Sequence, residues 1–350
     1  MNPFADLTGI DHPIVQGPFG GGLSTVDLLA TVSDGGGLGS YGAHILDGQA
    51  IVELVAACRA RTHRPFNINL WVPQPGEPAT FTAADTDRLQ PYYTELGIEP
   101  PREIAAPDYA GQLAAVLDAA PPVASFVMGI PDPGFLAAAR ERGIVTIGTA
   151  TTVEEAIAVQ AAGMDAVVAS GSDAGGHRGA FLRPVQESLV GTFSLIPQVA
   201  RVVSIPVVAA GGIADARTVA AALLLGAHAV QIGTGFLVTE QSGASTAHRT
   251  ALRSPAARTT VLTRLFSGRT ARGIANRFTR EMGAFEADVP AYPAQNALMA
   301  PIRATAAHRG DPDLLNLWSG QAAALATGTD AGAYLAELTA RLPDSARATC

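Results

Sequence analysis

Short apolar runs alternate with helical segments along most of this 350-residue chain, and this alternation leaves few folds open. Each run is followed by a glycine-rich or polar turn and then by an alanine- and leucine-rich segment with helical spacing. Such runs suit parallel strands that are covered by helices. Eight occur, which predicts a (β/α)8 TIM barrel of the α/β class. They are His12–Gln16, Gly37–Tyr41, Phe66–Trp71, Ser125–Met128, Val145–Gly148, Ala166–Ser170, Val207–Ala210 and Ala229–Ile232.

A Rossmann-like open sheet is the alternative fold. Its first strand is followed by a GxGxxG motif that opens a helix, and Gly20-Gly21-Gly22 lacks that spacing. The sequence therefore favours the barrel.

Two segments interrupt the alternation. Residues 72–107 are rich in proline and polar side chains, which predicts an inserted loop region after the third strand. The chain after residue 255 lies beyond the eighth strand and contains helical patterns. We therefore expect residues 1–255 to form the barrel, and residues 256–350 to form a helical cap or lid that contributes to the substrate pocket.

Composition excludes several classes of protein. All 23 basic residues are arginine, so the chain lacks the lysine amine of Schiff-base aldolases, pyridoxal-phosphate enzymes and Walker-type P-loops. The net charge of −8 repels nucleic acid. Two cysteines without CxxC spacing predict neither a disulfide framework nor a zinc site. A basic n-region and a membrane-length apolar run are both missing from the sequence, which predicts a cytoplasmic protein with no membrane contact.

Glycine-rich turns follow the seventh and eighth predicted strands, at Gly211-Gly212 and at Gly233-Thr234-Gly235. In TIM barrels these two loops commonly bind phosphate, because glycines let backbone N–H groups approach an anion. Tight turns alone would also explain the glycines. The order of the two loops favours a phosphate site. Without lysine, a phosphate must be bound by arginine, hydroxyl or backbone N–H groups, and the glycine loops make the backbone the natural choice.

The loop after the sixth predicted strand, residues 170–179, carries His177 among glycines. A histidine at the mouth of a barrel can titrate near neutral pH, receive a proton or donate a hydrogen bond. Lone histidines are more often structural, but this position favours a catalytic role. The other histidines show no metal-ligand spacing, and we expect them to be structural: His12, His44, His63, His228, His248 and His308.

Three further features have an ordinary structural interpretation: a run of arginines, Trp71 and Tyr92. In an acidic protein, such a run more often forms internal salt bridges or a subunit contact than a polyanion-binding site. Trp71 and Tyr92 are candidates either for the pocket lining or for ordinary packing. The run comprises Arg264, Arg269, Arg272, Arg277 and Arg280.

The segment Ala174-Gly175-Gly176-His177-Arg178-Gly179 resembles the AGGHRG signature of class I nitronate monooxygenases, flavin enzymes formerly called 2-nitropropane dioxygenases. The similarity covers nearly the whole chain. It includes residues 13–22, 32–39, 66–70, 209–213, 231–234, 266–269, 271–273, 292–296 and 317–321.

This resemblance implies an FMN-dependent enzyme with His177 as the active-site histidine. The FMN phosphate would lie on Gly212 and on the turn from Gln231 to Thr234, with Asn69 and Gly175 close to the flavin. The implied reaction oxidises a small anionic nitronate of the propionate 3-nitronate type with O2, without a nicotinamide, and gives a carbonyl product and nitrite or nitrate. The implied cofactor-binding residues are Gly17, Pro18, Phe19, Asn69, Ser170, Gly175, Gly211, Gly212, Gln231, Gly233 and Thr234.

The chain departs from the family pattern at three positions. Ser170 and Asp173 stand where the pattern QGxEAGGH has glutamine and glutamate, and Phe19 stands where a methionine is usual. Two alternatives therefore remain open. One is an FMN-dependent reductase that passes electrons from NAD(P)H to a quinone or an enoyl thioester. The other is a phosphate-binding barrel without flavin. A homodimer is also left open.

Overall fold

The computed structural model describes residues 2–76, 78, 80–104, 108–340 and 342. Eleven strands are found among these residues. They are β1 (Ile14–Gln16), β2 (Gly39–Gly42), β3 (Phe66–Trp71), β4 (Val123–Val127), β5 (Val145–Ala150), β6 (Ala166–Ser170), β7 (Gly176–His177), β8 (Val207–Ala210), β9 (Ala229–Ile232), β10 (Thr260–Thr263) and β11 (Ala271–Ile274).

Helices follow the barrel strands and cover their outer faces. The α-helices are α1 (Pro3–Thr8), α2 (Val26–Asp34), α3 (Gly48–Arg61), α4 (Ala83–Leu96), α5 (Tyr109–Ala119), α6 (Pro133–Glu141), α7 (Val153–Ala161), α8 (Thr192–Ala200), α9 (Ala216–Leu224), α10 (Thr234–Leu237), α11 (Thr246–Arg253), α12 (Arg277–Met282), α13 (Ala294–Arg309) and α14 (Ala331–Ala340). None of the helices formed by these described residues is long and apolar enough to cross a membrane.

Eight of the strands form a parallel sheet in the order β1-β9-β8-β6-β5-β4-β3-β2. The sheet closes on itself, because the Gln16 N–H donates to the Leu38 carbonyl at 3.0 Å and the Leu38 N–H donates to the Ile14 carbonyl at 2.9 Å. The predicted TIM barrel is confirmed, and the open Rossmann-like sheet is excluded. β1 begins two residues later than predicted, after Pro13, which has no N–H to donate to a ladder.

The amino end of the barrel is closed by α1. Phe4 is fully buried in one apolar cluster with Val15, Ile147, Val168 and Val208, which come from barrel strands. Burial of a phenylalanine side chain contributes about 1.5–3 kcal/mol, so α1 is a stabilising plug. The carboxyl ends of the strands are therefore the end at which a ligand can enter.

A small antiparallel sheet joins the segment after residue 255 to the loop that follows β6. In this sheet β11 pairs with both β10 and β7, and Ala271 lies opposite His177. Helix α13 packs against α4, where the Tyr93 hydroxyl donates to the Leu298 carbonyl at 2.7 Å. Residues far apart in sequence are thereby brought beside the barrel mouth. The proposed division at residue 255 stays a prediction.

Candidate active site

A cavity of about 880 Å³ lies at the carboxyl ends of the barrel strands. Its lining includes every residue that the sequence analysis selected for catalysis or cofactor binding. The structure thus brings these positions together, while their roles remain predictions. They are Gly17, Pro18, Phe19, Asn69, Ser170, Gly175, His177, Gly211, Gly212, Gln231, Gly233 and Thr234.

The glycine loops after β8 and β9 present backbone N–H groups at one end of this cavity. Gly211 and Gly212 have φ angles of +108° and +70°, which glycine adopts readily and other residues avoid. A Cβ at position 211 would lie 2.7 Å from the Thr192 hydroxyl and 2.8 Å from the Ala174 nitrogen. Within the described part of the chain, the N–H groups of Gly212 and Thr234 have no acceptor. These amides are suited to a phosphate.

Asp173 lies beside the glycine loops but directs its carboxylate elsewhere. The Thr192 N–H, at the start of α8, donates to Asp173 Oδ2 at 2.7 Å. A carboxylate at this position compensates the free N–H groups of the helix terminus. Asp173 therefore connects the loop after β6 to α8.

Two buried arginines fix the loop after β6 through its carbonyl groups. Arg178 donates to the Gly171 carbonyl at 2.7 Å and to the Ser170 carbonyl at 2.8 Å. Arg272 donates through Nε to the Ser172 carbonyl at 2.9 Å. These hydrogen bonds from Arg178 and Arg272 fix the backbone of the loop that carries His177.

His177 is a neutral imidazole whose orientation is set by Ser267. Its Nε2 lies 2.8 Å from the Ser267 hydroxyl, and that hydroxyl donates to the Arg269 carbonyl at 3.1 Å. With the hydroxyl hydrogen directed at that carbonyl, the serine oxygen accepts the Nε2–H and Nδ1 is the unprotonated nitrogen; with the hydroxyl directed at Nε2, the tautomer is reversed. Burial, and secondly the charge of Arg303, lower the pKa of His177 to about 3. The expectation that this histidine titrates near neutral pH is wrong, because the buried site disfavours the imidazolium.

Aromatic side chains surround His177. The ring centroid of Trp71 lies 4.7 Å from that of His177, and the centroid of Trp318 lies 5.2 Å from it. Tyr292 lies 5.5 Å from Trp71 by the same measure. Of the two aromatic residues considered from sequence, Trp71 lines the cavity. Tyr92 is not among the lining residues and instead donates its hydroxyl to Glu281 at 2.8 Å.

His44, for which the sequence predicted only a structural role, lines the cavity. Its ring stacks on Trp71 with centroids 3.7 Å apart and planes 2° apart. Burial first, and then the nearby His177 and Arg269, lower the pKa of His44 to about 3. Its position directly after β2 was the available signal, since barrel sites are built from residues that follow the strands.

The segment after residue 255 also supplies cavity residues that the sequence analysis missed. Tyr292, Arg303 and Trp318 line the cavity. Arg269 lies over two rings, with its guanidinium carbon 4.6 Å from the Tyr292 centroid and 5.4 Å from the Trp71 centroid. Elsewhere in the arginine run, Arg277 forms the expected kind of internal salt bridge, with Glu95 at 2.7 Å.

A TIM barrel with free amides on its last two loops and a histidine at its mouth resembles the class of barrel enzymes that bind a phosphate-bearing ligand. The particular family follows from comparison with known proteins. The family profile described as "Nitronate monooxygenase" matches residues 2–340. The chain belongs to the nitronate monooxygenase family of flavoenzymes and is an oxidoreductase that acts on a small molecule.

Individual relatives agree with this assignment. A probable nitronate monooxygenase from Staphylococcus aureus (strain JH9) is 42% identical over 333 residues, which are 93% of each chain. The solved structure of nitroalkane oxidase from Streptomyces ansochromogenes is 40% identical, with a TM-score of 0.90 and coverage of 97% of each chain. The structure of FabK from Thermotoga maritima is 27% identical, with a TM-score of 0.77 and coverage of 97% of this chain and 96% of that chain.

Proposed function

We propose that this protein binds FMN and oxidises alkyl nitronates of the propionate 3-nitronate type with O2, giving a carbonyl product and nitrite or nitrate. The convergence of all the selected residues on one cavity carries the proposal. The name of the similar Streptomyces protein, a nitroalkane oxidase, supports a nitro compound or its nitronate as substrate.

The residues present fit FMN. The free amides of Gly212 and Thr234 would hold its phosphate, and the positive φ of Gly211 lets the loop turn without a side chain. Gly17, Pro18 and Phe19 after β1, Asn69 on β3, Ser170 and Gly175 would border the remainder of the cofactor. When bound, FMN would supply the electron-accepting chemistry and the reaction with O2.

His177 would face the reacting carbon of the substrate through Nδ1. A nitronate has already lost its α-proton, so a neutral imidazole can contact it without a proton transfer. A neutral nitroalkane still carries that proton, and Nδ1 would take it as a general base. Trp71 and Trp318 would exclude water from the same region.

Both parts of the chain would contribute to this reaction. Residues 1–255 would supply the cofactor site, and residues 256–350 would cover the substrate end through Tyr292, Arg303 and Trp318. We infer this division from the lining residues alone.

Oxygen uptake by the FMN-reconstituted protein tests the proposal. We expect propionate 3-nitronate to drive FMN-dependent oxygen consumption, while NADH drives none. Mass spectrometry of the flavin released on denaturation would identify it as FMN. Quinone reduction driven by NADH without nitronate turnover would indicate the reductase instead, and a protein that takes up no flavin would indicate the flavin-free barrel.

A further inference from the structure

Arg303 is a half-buried cation whose hydrogen-bond partners are all neutral. It lies on α13 and donates to the Phe266 carbonyl at 2.6 Å, to Asn296 Oδ1 at 2.9 Å and to the Asn296 carbonyl at 3.3 Å. These acceptors position the guanidinium but do not neutralise it. In the part of the chain that the structure describes, no carboxylate lies within 4.0 Å of it.

This charge faces the reacting end of the cavity. Arg303 lines the cavity, and after burial its charge is the second cause of the lowered pKa of His177. Burial lowers the pKa of Arg303 itself only to about 10, so the side chain stays protonated at neutral pH. The two carboxylates of the lining, Glu99 and Glu103, form no ion pair with it.

A half-buried charge at the wall of a cavity has lost part of its water, and an anion in the cavity would compensate that loss. The five N–H donors of a guanidinium match an anion that has two oxygens, such as a carboxylate or a nitronate. The hydrogen bonds of Arg303 go to Phe266 and Asn296 and not to the glycine loops, where a phosphate would lie. A substrate anion is therefore the partner that fits the site.

We propose that Arg303 is a binding residue for the anionic oxygens of the substrate, so that the cavity selects substrates that are anions. This inference rests on the proposed function for the identity of the substrate. The shared chemistry is a delocalised two-oxygen anion. Its source is either the nitronate group itself or a carboxylate at the far end of the substrate chain.

The kinetics of Arg303→Met distinguish these two sources. Propionate 3-nitronate and propyl nitronate differ by the terminal carboxylate. If Arg303 binds that carboxylate, kcat/KM for propionate 3-nitronate falls roughly 100-fold and kcat/KM for propyl nitronate changes little. If it binds the nitronate, both values fall alike. If neither falls, the proposal is wrong. Arg277→Met is the matched control, because Arg277 pairs with Glu95 outside the cavity.

A binding measurement without turnover separates this inference from the proposed function. Succinate resembles propionate 3-nitronate in length and charge but is not a nitronate. We expect calorimetric titration of the FMN-reconstituted wild-type protein to give at least about tenfold tighter binding of succinate than of succinamide. Arg303→Met should abolish this preference, and Arg303→Lys should retain part of it.

Equal affinity of the wild-type protein for succinate and succinamide would overturn the inference, whether or not the variants fold. An unchanged preference in folded Arg303→Met would also overturn it. A preference that depends on Arg303, in a protein that oxidises no nitronate, would refute the proposed function and leave the anion site in place.

Discussion

His177 and Ser267 contact each other at the mouth of the cavity, with His177 Nε2 2.8 Å from the Ser267 hydroxyl. Aromatic rings lie on two sides of the imidazole. Burial lowers the pKa of His177, which favours the neutral imidazole. We therefore propose that His177 acts as a neutral group.

Replacing His177 by asparagine should retain FMN and lower kcat roughly 100-fold or more, because a proton-accepting nitrogen is lost while the glycine loops are unchanged. Absorbance of the bound flavin and oxygen uptake measure the two effects. The matched control is His308→Asn, at an exposed position on α13, which should change neither. Full turnover by the His177 variant would remove this residue from the catalytic assignment.

The pH dependence of kcat/KM should also reflect the neutral imidazole. Because the folded pKa of His177 is about 3, the neutral form predominates at every higher pH. We expect kcat/KM for a nitronate to show no inflection from this histidine between pH 5 and 8. A limb centred near pH 6.5, the ordinary value for histidine, would contradict the depressed pKa.

Single residues were predictable where they follow a strand within a glycine-rich loop. His177 and Gly212 satisfy that rule. Arg303 does not, because it lies within a helix where nothing in the local pattern separates a cavity arginine from a surface arginine. His44 satisfies only half of the rule, since it follows a strand but no glycine-rich loop surrounds it.

In the loops after β8 and β9, backbone N–H groups and not side chains would form the proposed phosphate site. Gly212 and Gly310 have nearly equal φ angles, +70° and +68°, and so pay a similar conformational penalty on substitution. Gly310 ends α13 with open space around it and does not line the cavity. The two glycines thus offer a matched pair.

Gly212→Asp should weaken FMN binding at least about tenfold, since it places a carboxylate beside the phosphate. Gly310→Asp should leave FMN affinity unchanged. Both substitutions should lower the free energy of unfolding by about 1–2 kcal/mol, because each places a side chain at a positive φ. Fluorescence titration with FMN and urea unfolding provide the two measurements. Equal FMN affinity in both variants would show that the phosphate lies elsewhere.

Secondary structure was predictable where apolar periodicity is strong. All eight barrel strands were located from their apolar runs, because buried parallel strands need continuous apolar residues. The two-residue strand β7 was not located. It exists only through its pairing with β11, which lies about a hundred residues further along the chain, so local sequence contains no sign of it.

At the scale of the whole molecule, burial of three histidines couples folding to pH. His44 and His177 have pKa values of about 3 in the folded protein, and His248, which contacts the Trp318 carbonyl at 3.0 Å, has a pKa of about 4. Desolvation is the largest cause in each case. All three remain neutral at pH values where the unfolded chain would be protonated.

Stability should therefore fall as the pH drops below about 6.5. Between pH 6.5 and 5 the unfolded state binds protons at these histidines and the folded state does not, while carboxylates of ordinary pKa remain ionised. Each histidine contributes at most about 1.4 kcal/mol per pH unit, and less where water in the cavity screens it. Urea unfolding at pH 7.5, 6.5, 5.5 and 5.0 measures the slope.

His248→Gln tests the origin of that slope. The glutamine amide can still donate to the Trp318 carbonyl but does not titrate, so the variant should lose stability less steeply on acidification. A wild-type protein that is equally stable at pH 7.5 and 5.0 would contradict the coupling.

The barrel as a whole was predictable because the alternation of apolar runs and helical segments repeats along the chain. The position of the segment after residue 255 was not predictable. That position depends on long-range contacts such as the one between Tyr93 and Leu298. The positions on the barrel loops that were selected from the sequence line the cavity, and their roles stay predictions. The presence of Tyr292 and Trp318 in the same lining depends on long-range contacts and was found only in the structure.

We propose that electrons enter the bound FMN from a nitronate and not from a nicotinamide. An anaerobic visible spectrum of the FMN-loaded protein, recorded before and after addition of propionate 3-nitronate, with NADH added to a separate sample, tests this proposal. We expect flavin reduction by the nitronate and an unchanged spectrum with NADH. Bleaching by NADH, with no change on addition of the nitronate, would contradict it.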